Sequence, residues 1–323
     1  MPALYDAFLL VSFGGPEKRE DVIPFLENVL RGKNVPRERM LEVAEHYYHF
    51  DGKSPINEQC EELLAALRTE FAAHDLNLPI YWGNRNWRPM LADTVEQMRT
   101  DGVQRALALA TSAYGSYSGC RQYREDLDRA CAAAPGAPTI DKLLPFFDHP
   151  GFIAAAAARV GEALRQLPGG DIVYTAHSIP LSMSQSSPYV PQLRAVCAKV
   201  NDLIGKSDAA PTLVYQSRSG LPGQPWLEPD IGDYIRQTQS TRLIIVPIGF
   251  LSDHMEVLYD LDTEAADIAR ERGIEFVRAG TVGTHPAFVG AIRQMVESAM
   301  AVGGVTACAP DCCKPPQRPV RPQ

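Results

Sequence analysis

Apolar runs of strand length alternate with helix-period stretches from one end of the chain to the other. The runs predict strands at Asp6–Phe13, Pro79–Trp82, Arg105–Ala110, Asp171–Ala176, Thr212–Gln216, Arg242–Phe250 and Ile274–Val277. Several, such as Ala7-Phe8-Leu9-Leu10-Val11 and Leu243-Ile244-Ile245-Val246, show no polar alternation, which suits strands covered on both faces. Between them the pattern predicts helices such as Asn57–His74, Pro89–Arg99, Gly151–Gln166 and Pro286–Met300. This alternation specifies an α/β architecture with parallel sheets.

A long connection at Leu144–His149, carrying Pro145 and followed by Pro150, divides the chain at residues 1–147 and 148–304. Each side has enough residues for one doubly wound unit. His149-Pro-Gly-Phe and His285-Pro-Ala-Phe both open an alanine-rich helix, a short internal echo. Residues 305–323 drop the helical pattern, and four prolines among the last ten make this stretch a tail.

Composition narrows the class. The 323 residues carry a net charge of −8, which argues against a nucleic-acid partner. No run approaches the roughly 20 apolar residues of a membrane helix. The first residues lack the basic segment of a secretory signal, so a cytoplasmic location is expected. Seven cysteines, three of them within the last sixteen residues, do not resemble a disulfide framework. Cys60, Cys131 and Cys197 fall in helical patterns and read as small buried apolar residues.

Ligands of open parallel sheets bind beyond the carboxyl ends of the strands. Polar clusters follow six of the predicted strands: Ser12-Phe-Gly-Gly-Pro16, Asn84-Arg-Asn-Trp87, Thr111–Tyr117, His177-Ser-Ile-Pro180, Gln216-Ser-Arg218 and Ser252-Asp-His254. They imply a large cleft along one edge, the alternative being the ordinary polarity of loops. His177 suits proton transfer or metal binding, because an imidazole titrates near neutrality; a structural histidine is the alternative. Beyond Ser252, Glu256, Asp260 and Glu264 recur every four residues, a helical face of like charge. Such a row is either a solvated face or a path for a divalent cation. Ser12-Phe-Gly-Gly-Pro-Glu lacks the spacing and lysine of a phosphate loop, and no glycines flank Ser178 as a nucleophile elbow requires.

The motifs resemble those of ferrochelatases. Leu9–Pro16, Gly52-Lys-Ser-Pro-Ile-Asn57, Tyr174-Thr-Ala-His-Ser-Ile-Pro180, Tyr215-Gln-Ser-Arg-Ser-Gly220, Pro225-Trp-Leu-Glu-Pro229 and Pro247–Asp260 match in order and spacing, over residues 5 to about 300. Asn84-Arg-Asn-Trp87 and Gly14-Gly15-Pro16 look most like the actinobacterial branch, whose members use coproporphyrin III rather than protoporphyrin IX. The resemblance implies two Rossmann-like doubly wound halves with the porphyrin in the cleft between them. It also implies that His177 accepts pyrrole protons or contacts Fe2+ as a neutral imidazole, with Glu256 facing it across the ring. Asp260 and Glu264 would continue as a metal or proton track, on a helix with a π-type widening. Tyr47 and Ser54 match positions that hydrogen-bond propionates. Phe13 stands where several relatives carry a tyrosine, so no hydroxyl ligand is available there.

Some relatives bind a [2Fe–2S] cluster, for which Cys120, Cys308, Cys312 and Cys313 are the candidates here. A four-cysteine zinc site or free thiols are the alternatives. Transient contact with an iron donor or a heme-accepting enzyme is a further expectation. The rival functions are a chelatase for another metal and tetrapyrrole, and a non-catalytic porphyrin or heme carrier.

Overall fold

Two four-stranded sheets share one strand order. In the first, β1 (Ala7–Ser12) lies between β2 (Ile80–Asn84) and β3 (Arg105–Ala110), with β4 (Thr139–Lys142) outside β3. In the second, β5 (Asp171–His177) lies between β6 (Thr212–Gln216) and β7 (Arg242–Val246), with β8 (Glu275–Arg278) outside β7. Every pairing is parallel. The computed structural model describes residues 4–33, 35–208, 210–219, 223–306, 308–309 and 311–315. Gly220 of the Tyr215–Gly220 motif and tail residues 316–323 lie outside that set. Among the described residues no helix is long and apolar enough to cross a membrane.

The central strands are bare apolar runs because helices cover both faces. Strand β4, Thr-Ile-Asp-Lys, was not among the predicted strands: it is four residues long with a single apolar side chain, too little to stand out. The strand expected to run from Arg242 to Phe250 ends at Val246. Pro247 has no N–H for the ladder, and the chain turns, with Ile248 N donating to Val246 O at 2.7 Å. Its apolar Ile248 and Phe250 are nevertheless buried, which is why the run reads as continuous.

The short echo in the sequence is a repeated structural device. His149 and His285 each cap a helix, Pro150–Gln166 and Pro286–Ala301, with Pro in the first turn. Each Nδ1 accepts from the backbone N–H two residues on, at 3.2 Å. These two helices pack against each other. The approach is close because residue 151 is glycine: a Cβ there would lie 2.5 Å from Ala287 O.

One core runs through both halves. Phe8 and Leu10 of the first sheet and Tyr174 and Ile244 of the second belong to the same buried cluster as Phe146, Phe152 and Phe288. The three phenylalanine rings stand 5.7–6.0 Å apart. The Leu144–His149 connection is therefore anchored, with Phe146 only 3% exposed. Burial of each such ring stabilises the fold by about 1.5–3 kcal/mol. A separate cluster of Val22, Phe25, Leu26, Met40 and Ala44 joins helices Val22–Val29 and Arg37–Tyr48 at the rim of the cleft.

Candidate active site

His177 is the last residue of β5, in register with Gln216 at the end of β6. The corresponding strand ends in the first half are Ser12 and Asn84. Three contacts fix the histidine. Its Nδ1 meets Ser178 O at 2.5 Å, so Nδ1 carries a proton and Nε2 points away from the strand. Tyr189 donates its hydroxyl to His177 O at 3.0 Å, and Ser178 N donates to Gln216 O at 2.7 Å. Nε2 faces Glu256 Oε1 at 3.5 Å.

Glu256 is held from two sides. His254 caps its helical turn, accepting from Glu256 N at 3.2 Å, and Gln216 Nε2 donates to Glu256 O at 2.9 Å. The acidic row does not follow one regular helix. Met255–Val257 is α-helical, Leu258–Ala265 is a π-helix, and Ala266–Glu271 is α-helical again. The expected widening is present, and it changes which groups meet. Asp260 hydrogen-bonds Ser217, while Glu264 is exposed. Charge from Asp230 reaches Glu264 and extends the acidic run beyond the residues picked from the sequence.

The electrostatics of the ligand-free pair favour its charged form. Burial alone would lower the His177 pKa, but the charge and hydrogen bond of Glu256, the Ser178 carbonyl and the Asp260 charge together raise it to about 9. Burial would likewise raise Glu256, yet His177, His254 and Lys33 hold it down at about 2. The two shifts act together to favour an imidazolium beside a carboxylate. Their side chains remain 31% and 46% exposed to the cleft, so water screens part of this attraction. Asp260 is pushed up to about 7, chiefly by burial and despite the Ser217 hydrogen bond, with Glu256 and Glu264 adding to the rise.

Several groups were not legible as site residues. Lys33 carries charge that Glu256 feels, although it stands far off in the chain and in no motif. His46 stacks on Tyr259 of the π-helix, with centroids 3.8 Å apart and planes 10° apart. Of the two hydroxyls expected to meet propionates, Tyr47 faces the acidic pair: burial, then the Glu256 and Asp260 charges, raises its pKa. Ser54 lies against the Gly15–Pro16 turn, its N–H donating to Pro16 O at 2.8 Å. Its hydroxyl is buried at 3% exposure, and a Cβ on Gly15 would come within 3.0 Å of its Oγ. Phe13 packs edge-on against Phe25, with the Arg85 guanidinium 5.9 Å above its ring.

The four cysteines also converge. Cys120 lies in the short π-helix Tyr117–Arg121, and Cys120, Cys308 and Cys312 line one cavity of about 180 Å³. Cys312 Sγ lies 3.5 Å from Cys313 Sγ. Cys313 adopts φ 50°, a left-handed turn that a non-glycine residue rarely takes. Its thiol is raised to about 12 by burial, then by Cys312, with Cys120 and Cys308 close enough to contribute. Lys142 Nζ donates to Cys120 Sγ at 3.4 Å. Among the described residues no three His, Cys, Asp or Glu side chains close around a single metal ion. Of the cysteines expected to be buried, Cys60 and Cys197 are; Cys131 is half-buried, its thiol turned toward Pro138 O at the end of helix Gln122–Ala133.

Paired four-stranded parallel sheets with this strand order are an arrangement shared with solved chelatases. The fold is similar to that of CbiX, described as the terminal enzyme for siroheme biosynthesis in denitrifying bacteria. That match has a TM-score of 0.55 at 16% identity and covers 91% of this chain and 99% of the other. It is also similar to the sirohydrochlorin chelatase SirB of Bacillus subtilis subspecies spizizenii, solved with cobalt, with TM-score 0.52, 12% identity and 90% and 94% coverage. The chain belongs to the ferrochelatase family, whose model matches residues 5–300. It is 53% identical to the ferrochelatase of Rhodopirellula baltica, over 98% of this chain and 95% of the relative. It is 50% identical to the coproporphyrin III ferrochelatase of Streptomyces coelicolor, over 90% and 84%.

Proposed function

We propose that the protein inserts Fe2+ into coproporphyrin III as a step of heme biosynthesis. The observation that carries this reading is the His177–Glu256 pair, backed by Asp260 and Glu264. Metallation requires a base for two pyrrole protons and oxygen ligands that replace iron's water. Both are present in one run of side chains.

The 3.5 Å gap between His177 and Glu256 is closed to a porphyrin. A flat ring needs about 3.5 Å on each face, so substrate must part the pair. Parting removes the contact that holds the proton on His177. The imidazolium then loses its proton toward Asp260, whose pKa of about 7 allows it to accept one at neutral pH. Neutral Nε2 next takes a pyrrole proton, while Glu256 accepts from or coordinates on the opposite face. Tyr47 and Ser54 would offer their hydroxyls to propionates.

The same reading assigns Cys120, Cys308, Cys312 and Cys313 to a [2Fe–2S] cluster. Four thiols with an ammonium beside them suit a thiolate-bound cluster, which spans more space than one zinc ion. The cluster supplies one-electron chemistry, and the metallation steps above do not use it. Anaerobically purified protein is expected to be brown and to carry iron and acid-labile sulfide. Cys120→Ser should lose both, and a colourless wild type with four titratable thiols would remove the assignment.

The central test is anaerobic Fe2+ insertion with coproporphyrin III and protoporphyrin IX in parallel. Preference for coproporphyrin III is expected. Preference for protoporphyrin IX would overturn the substrate, and turnover of neither would overturn the function.

A further inference from the structure

Glu256 and Asp260 lie on a segment that is a poor helix by its own hydrogen bonding. π-Helical turns are less stable than α-helical ones and persist where something outside the helix holds them. Gln216, Ser217 and the His46–Tyr259 stack hold the segment at single points, and one further side chain ties its two ends together. Arg278, at the end of edge strand β8, forks onto Asp262 with Nε–Oδ1 at 2.6 Å and Nη2–Oδ2 at 2.9 Å. The same guanidinium reaches Asp253, Nη1–Oδ1 at 3.1 Å and Nη2–Oδ2 at 3.4 Å, and donates to Ala279 O at 3.3 Å. Its side chain is 15% exposed.

The two aspartates bracket the reactive stretch. Asp253 precedes Glu256 by three residues, and Asp262 follows Asp260 by two, inside the π-helix. The near end is pinned from the first half as well, since Asp253 N donates to Gln59 Oε1 at 2.8 Å. An arginine held by both brackets fixes the length and rotation of the segment between them. A planar fork with five donors makes all four of these carboxylate contacts at once, more than the three donors of an ammonium allow.

We infer that Arg278 is a positioning residue for metallation, clamping Asp253 and Asp262 to the edge of the second sheet so that Glu256 and Asp260 are held toward His177. The inference rests on the function proposed above. Arg278 is placed in contact with neither porphyrin nor iron, so its loss acts through the carboxylates.

The test uses the full-length protein and three variants, Arg278→Lys, Arg278→Ala and Asp262→Asn. Arg278→Lys keeps the charge but not the fork. It is expected to lower kcat for Fe2+ insertion by on the order of tenfold to a hundredfold, as small misplacements do. Porphyrin Kd, read by fluorescence, should stay within about threefold, because ground-state binding is untouched. Asp262→Asn should lower kcat in the same way, and adding it to Arg278→Lys should cost less than about twofold more, since both break one clamp. If Arg278→Ala does not fold, the other two variants decide the matter. Amide hydrogen exchange over residues 255–265, measured without substrate, should accelerate in Arg278→Lys. Wild-type kcat and exchange in Arg278→Lys would overturn the inference. A wild type that does not metallate would instead overturn the function, leaving exchange to report on the clamp.

Discussion

His177→Ala is expected to reduce Fe2+ insertion by about 10²–10⁴-fold, the usual contribution of a positioned proton acceptor. Porphyrin affinity should change little. On the proposed function the imidazole would meet only the centre of the ring, and its loss would leave the ring's contacts with the cleft walls in place. The variant should fold, because His177 stands at a strand end with a side chain open to the cleft, outside the shared core. Its neighbours remain satisfied: Tyr189 bonds the backbone carbonyl of residue 177, and Gln216 bonds that of Glu256. Loss of turnover with retained porphyrin quenching is therefore the specific signature. Retained turnover would show that Glu256 and Asp260 alone carry the protons.

Glu256→Gln should have the second largest effect, and its signature is a pH shift. The Glu256 charge and hydrogen bond are the main reasons His177 sits at about 9, above its ordinary 6.5. With a neutral partner, burial again dominates and the pKa falls. The pH dependence of kcat/KM reports groups of the free enzyme. Its His177 limb, near pH 9 in the wild type, should move at least about two units toward acid in the variant. The maximal rate should fall as well, since the carboxylate that faces the ring is gone. Stability provides an independent check of the pair. His177, raised on folding, stabilises fully below about 6.5, and that contribution is lost as pH rises through about 9. Glu256, depressed on folding, stabilises above about 4.5, and its contribution is lost as pH falls through about 2. The difference in Tm between wild type and Glu256→Gln should thus be greatest between pH 4.5 and 6.5 and shrink above 9. Solvent access to both side chains keeps it small.

The buried parallel strands were legible because their environment demands uninterrupted apolar runs, and β3 and β6 coincide with the predicted residues. Strand β4 was not, because Thr-Ile-Asp-Lys contains a single apolar residue and so no run to recognise. The row Glu256, Asp260, Glu264 was visible as a period of four, but periodicity does not reveal a π-turn, and Asp260 and Glu264 end in different surroundings. The charge state of His177 was out of reach. It depends on a carboxylate in a distant segment, and on a 3.5 Å separation that only the packed sheet ends determine. Arg278 gave no signal either: it is one basic residue closing a short strand, and its two aspartates are distant in sequence. The tail read as unstructured from its prolines, yet Cys313 is 3% exposed and Arg121 donates to Cys312 O at 3.2 Å. Cysteine placement, not local propensity, was the informative feature there.

The repeated helices capped by His149 and His285 bear on how a rigid macrocycle gets in. They meet along a seam with no slack, Gly151 against the Ala287 carbonyl, inside a core shared by both sheets. Packed interfaces of this kind resist sliding, because any shear must empty contacts that nothing refills. The two sheets therefore behave as one stiff jaw, unable to gape at its base. The compliance lies with the rim helices Val22–Val29 and Arg37–Tyr48, which pack in a cluster of their own and lean on the catalytic segment through the His46–Tyr259 stack. Substitutions that loosen this cluster, such as Phe25→Ala, are therefore expected to change product release, read by pre-steady-state metallation, more than the chemical step.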